Sequence, residues 1–309
     1  MNKNTMNFTG EGRKMNKLFK GSGIVFLLFF LLFISLSDVE AQTFTHKNVT
    51  SRVNVTNAQP EILNFTLSAS PISLNAGGLK EFNCTSLVRD WNGFNDVTGV
   101  NATFYFNQNA SNDPDDQNVH YTNSSCTEGG NDGLYLVNYT CAFYVSYFAN
   151  NGSWNCNATA IDQRNYTGSG IKAVNISALY AVNVTDIIDY GNLSVTDYSD
   201  NITATITNFG NRAINVSVLG YGLTQGDGLG FVCAQGTNIS IENQRFSSSA
   251  QPWASKTVLG ITNKDLGLTL AQQTDEIVQV TAESYWQLYV PPNPFGVCTG
   301  TVRFTATTP

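Results

Sequence analysis

From Pro60 onward the chain alternates short apolar or β-branched stretches with clusters of Gly, Asn, Asp and Ser. No 3.6-residue apolar period is sustained for more than about two helical turns. Stretches 62–68, 102–106, 134–137, 141–145 and 154–160 are rich in β-formers. Turn residues separate them at Asn92-Gly93, 112–116, 129–133 and 150–153. Many short strands punctuated in this way predict a sandwich or barrel. A second unit of the same kind begins near Leu179. In it Ile202, Ala204 and Ile206, the turn Asn208-Phe209-Gly210-Asn211, and then Ile214, Val216 and Val218 predict a hairpin. Strands over 277–280, 285–290 and 299–306 close the chain, and 266–273 predicts a single short helix. The pattern therefore predicts an all-β protein of two β-sandwich domains, residues 60–178 and 179–309. The polar stretch 42–59 reads as an exposed stem.

Residues 24–36 are an apolar run preceded by Arg13, Lys14, Lys17 and Lys20, with small residues Val39 and Ala41 at the −3 and −1 positions of a cleavage site. A basic start, an apolar centre and a small-residue end make a secretory signal peptide over 1–41. The rival reading is an uncleaved anchor, the one means by which this chain contacts a membrane. At 1.5 Å per residue the run spans about 20 Å, short of the roughly 30 Å hydrocarbon core, which favours cleavage.

Composition points to the same compartment. Only 13% of residues are charged while 42% are hydrophobic, and the net charge is −7, so the chain lacks the basic face that nucleic acid requires. Asparagine is abundant, at 36 residues. Beyond the leader, Asn-x-Ser/Thr sequons occur at Asn48, Asn54, Asn64, Asn83, Asn101, Asn109, Asn123, Asn138, Asn151, Asn157, Asn165, Asn175, Asn183, Asn192, Asn201, Asn215 and Asn238. Asn7 carries another within the leader. An Asn/Thr-rich β protein produces some sequons through its strand ends and turns; the excess reads as glycan attachment on an exported surface. None falls between Ile239 and Pro309, where Trp253, Tyr285, Trp286, Tyr289 and Phe295 lie. That bare segment is expected to supply a docking face, or else to be buried strands with no room for a sequon. Cys84, Cys126, Cys141, Cys156, Cys233 and Cys298 make an even count, which in an exported protein reads as disulfides with fifteen possible connectivities.

Cys84, followed far downstream by Cys156 within Gly152-Ser153-Trp154-Asn155-Cys156-Asn157-Ala158-Thr159-Ala160-Ile161-Asp162, resembles the B-strand and F-strand cysteines of an immunoglobulin-like domain, with Trp154 in place of the family's tyrosine. The resemblance implies a Cys84–Cys156 disulfide. With it go Cys126–Cys141 pinning an inserted hairpin and Cys233–Cys298 closing the second domain. Thr207-Asn208-Phe209-Gly210-Asn211, the residues Ile214 to Val218, Pro291, and Gly296 to Ala306 resemble β-sandwich modules of prokaryotic, especially archaeal, glycosylated cell-surface proteins. That likeness implies a scaffold rather than an activity.

Candidate chemistry is sparse. Asp90, Asn92 and Asp96 lie around Gly93 at a spacing that offers oxygen ligands to a hard cation such as Ca²⁺, although Asp and Asn also cap ordinary loops. The acidic stretch 113–116 reads as a solvated loop tip. The only histidines are His46 and His120, and no G-x-S-x-G, H-E-x-x-H or P-loop pattern occurs, so neither a hydrolytic triad nor a resident cofactor is expected. Tyr144, Tyr147, Phe148 and Trp154, or Tyr285, Trp286 and Tyr289, form either a binding platform or core packing, and packing is the commoner use. The sequence thus reads as a non-enzymatic, N-glycosylated extracellular or cell-surface protein with a structural or adhesive role. Its expected partners are envelope or neighbouring surface proteins, or copies of itself. A secreted carbohydrate-binding module or hydrolase accessory protein is the alternative, and a virus-encoded spike fits the same features.

Overall fold

The computed structural model describes residues 46–309, so the leader and its cleavage site lie outside the described residues. Residues 46–55 are exposed and carry no regular structure. From Thr56 to Pro309 the chain forms one unit of nineteen strands and three single-turn 3₁₀ segments.

Two four-stranded antiparallel sheets build the first half. One runs β1 (Glu61–Leu67), β2 (Leu79–Arg89), β6 (Leu136–Ser146), β5 (Thr127–Asp132). The other runs β4 (His120–Asn123), β3 (Val97–Phe106), β7 (Gly152–Asp162), β8 (Thr167–Ile176). This is the A-B-E-D strand order of an immunoglobulin-type sandwich against C-F-G, with β4 added as a C′ strand beside C. Period-two alternation makes it. On β2, Phe82, Cys84, Ser86 and Val88 face inward; on β6, Val137, Tyr139, Cys141, Phe143 and Val145; on β7, Trp154, Cys156, Ala158 and Ala160. The intervening Asn and Thr residues face out. Trp154, wholly buried, stacks on Phe104 with ring centroids 4.8 Å apart, and its Nε1 donates to the Asn150 carbonyl at 2.6 Å. The indole thus makes a bond back to the upstream backbone, as a tyrosine does at that corner of immunoglobulin domains.

The second half packs a five-stranded sheet, β15 (Thr257–Val258), β14 (Gln244–Ser247), β17 (Thr281–Leu288), β10 (Ile202–Asn208), β9 (Val182–Val184), with a three-stranded one, β16 (Lys264–Leu270), β11 (Ile214–Tyr221), β19 (Thr301–Thr307). Their inward residues, among them Ile206, Val216, Phe246, Leu266 and Trp286, share a core distinct from that of the first half. A small sheet, β13 (Ile239–Ser240), β12 (Leu229–Gly236), β18 (Pro294–Thr299), lies over Leu288 and Val290.

Three local expectations are corrected. Segment 266–273 is a strand through Leu270 rather than a helix, because Leu266, Leu268 and Leu270 alternate at period two and the first and last are buried. A bulge with Gly267 at φ +71° interrupts its pairing with β11. Residues 277–280 lie outside any strand, with Ile277 and Val278 exposed. Strands β10 and β11 do not form a hairpin: β10 pairs with β17 and β9, β11 with β16 and β19. The turn between them crosses from sheet to sheet. Its Asn208 Nδ2 donates to the carbonyls of Arg212 and Ala271, and its Asn211 reaches the first half.

Candidate functional site

At one end of the first sandwich the inward alternation of two strands continues into carboxylates. The β2 phase that buries Phe82 through Val88 next buries Asp90, and the β7 phase that buries Trp154 through Ala160 ends on Asp162; both carboxylates are essentially without solvent contact. The loop after β2 brings in Asp96, half-buried. Carboxylate oxygens of the three residues lie within 4.8 Å of one another. Asn92, expected with Asp90 and Asp96, adjoins Asp90 through its backbone. Its side chain is exposed and its Oδ1 accepts the Ala58 N–H at 2.8 Å, while its own N–H donates to Asp90 Oδ1 at 2.8 Å. Asp162, from the far end of β7, joins Asp90 and Asp96.

Asp162 is richly bonded. Its Oδ1 accepts the N–H groups of Arg164 and Tyr166, each at 2.8 Å, and its Oδ2 accepts Asn57 Nδ2 at 2.6 Å. Burial raises its pKa, but the hydrogen bonds from Tyr166, Asn57 and Arg164, with the Arg164 charge, outweigh burial and hold it below the usual carboxylate range. Asp90 goes the other way. Burial is the main influence and pushes its carboxyl up; the Asn92 N–H lowers it, and the charges of Asp96 and Asp162 raise it again. Asp90 Oδ2, Asp96 Oδ2 and Asn57 Oδ1 are all buried without a hydrogen-bond partner among the described residues.

The other candidates resolve locally. Disulfides join Cys84 to Cys156 across the two sheets, Cys126 to Cys141 at the β5–β6 hairpin, and Cys233 to Cys298 between β12 and β18. Asp113 caps Ala110 and Asp116 caps Asn118. His120 is buried, with Nδ1 3.0 Å from Asp115 Oδ1 and Nε2 3.2 Å from the Ser111 carbonyl, and it stacks near Tyr105. His46 is exposed in the irregular N-terminal stretch. Of the aromatics, Tyr147, Phe148, Trp154 and Trp286 are buried, so packing accounts for them, whereas Tyr144 is exposed. Tyr198, Trp253 and Tyr289 cluster at the surface of the second half, with centroids 4.8–6.5 Å apart, and the Arg245 guanidinium lies over Trp253.

All seventeen sequon asparagines beyond the leader avoid the core: nine are exposed, eight half-buried, none buried. On the sequon-free segment, β18 projects Phe295 and Val297, 67% and 76% exposed, onto the rim of an open groove of about 940 Å³. Ile187, Leu193 and Phe231 line its other side.

Sequence reasoning missed Asn211. It is fully buried, with Oδ1 accepting the Leu179 N–H at 2.7 Å and Nδ2 donating to the carbonyls of Ala149 at 3.0 Å and Ser177 at 3.1 Å. Phe209 beside it meets Tyr147 at 5.4 Å, and a side chain on Gly210 would collide with the Leu179 carbonyl. The flagged Asn-Phe-Gly-Asn turn is a clasp between the two halves. Its only sequence signal was a Gly-Asn pair that turn chemistry explained equally well.

The sequence matches no protein-family model and no curated protein. Among solved structures, the chain has a likeness to the CsuC–CsuE chaperone–tip adhesion subunit complex from archaic chaperone-usher Csu pili of Acinetobacter baumannii, at 13% identity and TM-score 0.35, over 79% of this chain and 100% of that one. A carbohydrate-binding module of the β-sandwich superfamily aligns at 9% identity and TM-score 0.27, over 82% and 97%. The C-terminal domain of the Streptococcus agalactiae AgI/II polypeptide BspA aligns at 11% identity and TM-score 0.22, over 80% and 95%. None of these likenesses assigns an activity to the chain.

Proposed function

We propose that the chain is an exported, N-glycosylated surface protein of two β-sandwich domains, residues 60–178 and 179–309, with a structural or adhesive role and no catalytic one. The observation that carries this reading is the distribution of sequon asparagines. Seventeen avoid every core position, and none lies in 239–309, the segment whose β18 carries Phe295 and Val297 into solvent. A bulky, hydrated glycan blocks close protein contact wherever it sits, so a sequon-free face with exposed apolar side chains suits contact with a neighbouring surface protein. The test is Val297→Asn, which completes an Asn-x-Thr sequon with Cys298 and Thr299, in a glycosylating secretory host. The glycosylated variant is expected to melt like the parent and lose surface association. Association unchanged with the glycan attached would contradict the reading.

The Tyr198–Trp253–Tyr289 cluster favours a second reading, carbohydrate binding, since stacked surface rings suit sugar faces. Trp253→Ala would then abolish retention on an immobilised polysaccharide while leaving protein association intact.

A further inference from the structure

We propose that Asp90, Asp96 and Asp162, with the side-chain oxygen of Asn57, bind a calcium ion at the end of the first sandwich where the chain enters it.

Three observations converge on one spot. First, three carboxylates come within 4.8 Å of one another although two of them are buried. Like charges at that separation repel, and burial removes the water that would screen them. Second, the ion pairs among the described residues are Arg89–Glu61 and His120–Asp115, so no Lys, Arg or His lies at ion-pair distance from the cluster, and the Arg164 charge acts on Asp162 only from farther off. Third, three of the eight unpartnered buried side-chain oxygens among the described residues belong to this group. Asp90, with no solvent contact at all, has a buried Oδ2 without a donor, and so has half-buried Asp96. Asn57 is tethered by Nδ2 to Asp162, which leaves its buried Oδ1 unpartnered in the same neighbourhood. A buried polar atom without a partner is uncommon in folded proteins; three on residues that meet at one place call for a shared positive charge.

The chemistry of the donors selects the ion. All four side chains offer oxygen, and no Cys or His takes part, which suits a hard cation over zinc or copper. Calcium accepts irregular sets of carboxylate and amide oxygens, whereas magnesium demands near-ideal octahedral geometry and keeps much of its water. Outside cells calcium is held in modules with dissociation constants of about 10⁻⁴–10⁻³ M.

Bound there, the ion would link three separate stretches: the entry segment at Asn57, the β2–β3 loop through Asp90 and Asp96, and the end of β7 at Asp162. The Ala58 N–H to Asn92 Oδ1 bond already holds the entry segment against that loop, so calcium binding would tighten a junction the fold has prepared.

The test is calorimetric titration of the full chain with calcium chloride, with magnesium chloride as control, and thermal melting in each salt. One calcium is expected to bind per chain. At about ten times the dissociation constant the melting temperature should rise by about 3–6 °C. Magnesium at equal concentration should give less than half that shift. Asp96→Asn should weaken calcium binding at least tenfold and erase the shift. Its calcium-free melting temperature should equal or exceed that of the parent, because one repelling charge is gone. Asp90→Asn should behave alike, and because Asp96 is only half-buried its variant decides the matter even where Asp90→Asn fails to fold. No calcium heat and no shift, or a shift that survives Asp96→Asn, would overturn the proposal.

Discussion

Asn211→Ala is expected to uncouple the two halves of the unit. The substitution removes three hydrogen bonds at a position without solvent contact: Leu179 N–H to Oδ1, and Nδ2–H to the carbonyls of Ala149 and Ser177. Each net bond is worth about 0.5–1.5 kcal/mol, and a buried group left unpaired costs about 1–3 kcal/mol. Ala149 is itself fully buried, so its carbonyl has no ready replacement donor, whereas water can reach half-buried Ser177 and Leu179. Those magnitudes combine to about 3 kcal/mol, or a fall of about 6–12 °C in melting temperature for a unit of this size. The backbone bond from Asn211 N–H to the Leu179 carbonyl at 3.1 Å survives, so the turn itself should persist. Differential scanning calorimetry is the assay, because it reports coupling as well as stability. A parent that melts in one transition should give a variant with two, as each core melts separately. Asn211→Asp should be at least as damaging, since it keeps the acceptor for Leu179 but sets carboxylate oxygen against two carbonyls. A loss under about 1 kcal/mol in an undivided transition would refute the clasp.

The remaining predictions concern the framework. Opening the loop closed by Cys84 and Cys156, by replacing both together with Ala, should cost about 4 kcal/mol on the chain-entropy account, read by urea denaturation; an unchanged midpoint would contradict it. Trp154→Phe strands the Asn150 carbonyl and should cost about 1–3 kcal/mol, so a neutral result would remove the indole bond from the account. Asp227 accepts N–H bonds from Gly222, Leu223, Thr224 and Leu229, which hold its pKa down at about 2. Its folded value lies below its unfolded value of about 3.9. Its contribution is therefore full above about pH 4 and disappears as pH falls toward 2. Melting followed from pH 5 to 2 should fall more steeply for the parent than for Asp227→Asn, and parallel curves would deny that Asp227 acts this way.

Much of the fold was legible because burial here follows a strict two-residue period. The inward runs of β2, β6 and β7 can be read directly from the placing of Phe, Val, Cys and Ala among Asn and Thr. The same phase, carried one step further, reaches Asp90 and Asp162, so the acidic cluster was written into two strands far apart in the chain. Local spacing instead nominated Asn92, which is close in sequence but spends its oxygen on Ala58. Segment 266–273 read as helical because three leucines and an alanine satisfy both periods when taken alone, and the pairing with β11 decides between them. Pairing also separated β10 from β11: Asn211 turns the chain away from a hairpin only because Ala149 and Ser177 wait on the other half, with Leu179 at the boundary. Contacts of that range leave no periodic trace.

The central claim is that the Asn-rich outer faces carry glycans while the C-terminal strands meet a partner. Site-resolved glycopeptide mass spectrometry of the protein from its native source tests it most directly. The account predicts sugars on most of the seventeen sequons from Asn48 to Asn238. A chain whose sequon asparagines are all unmodified would contradict it.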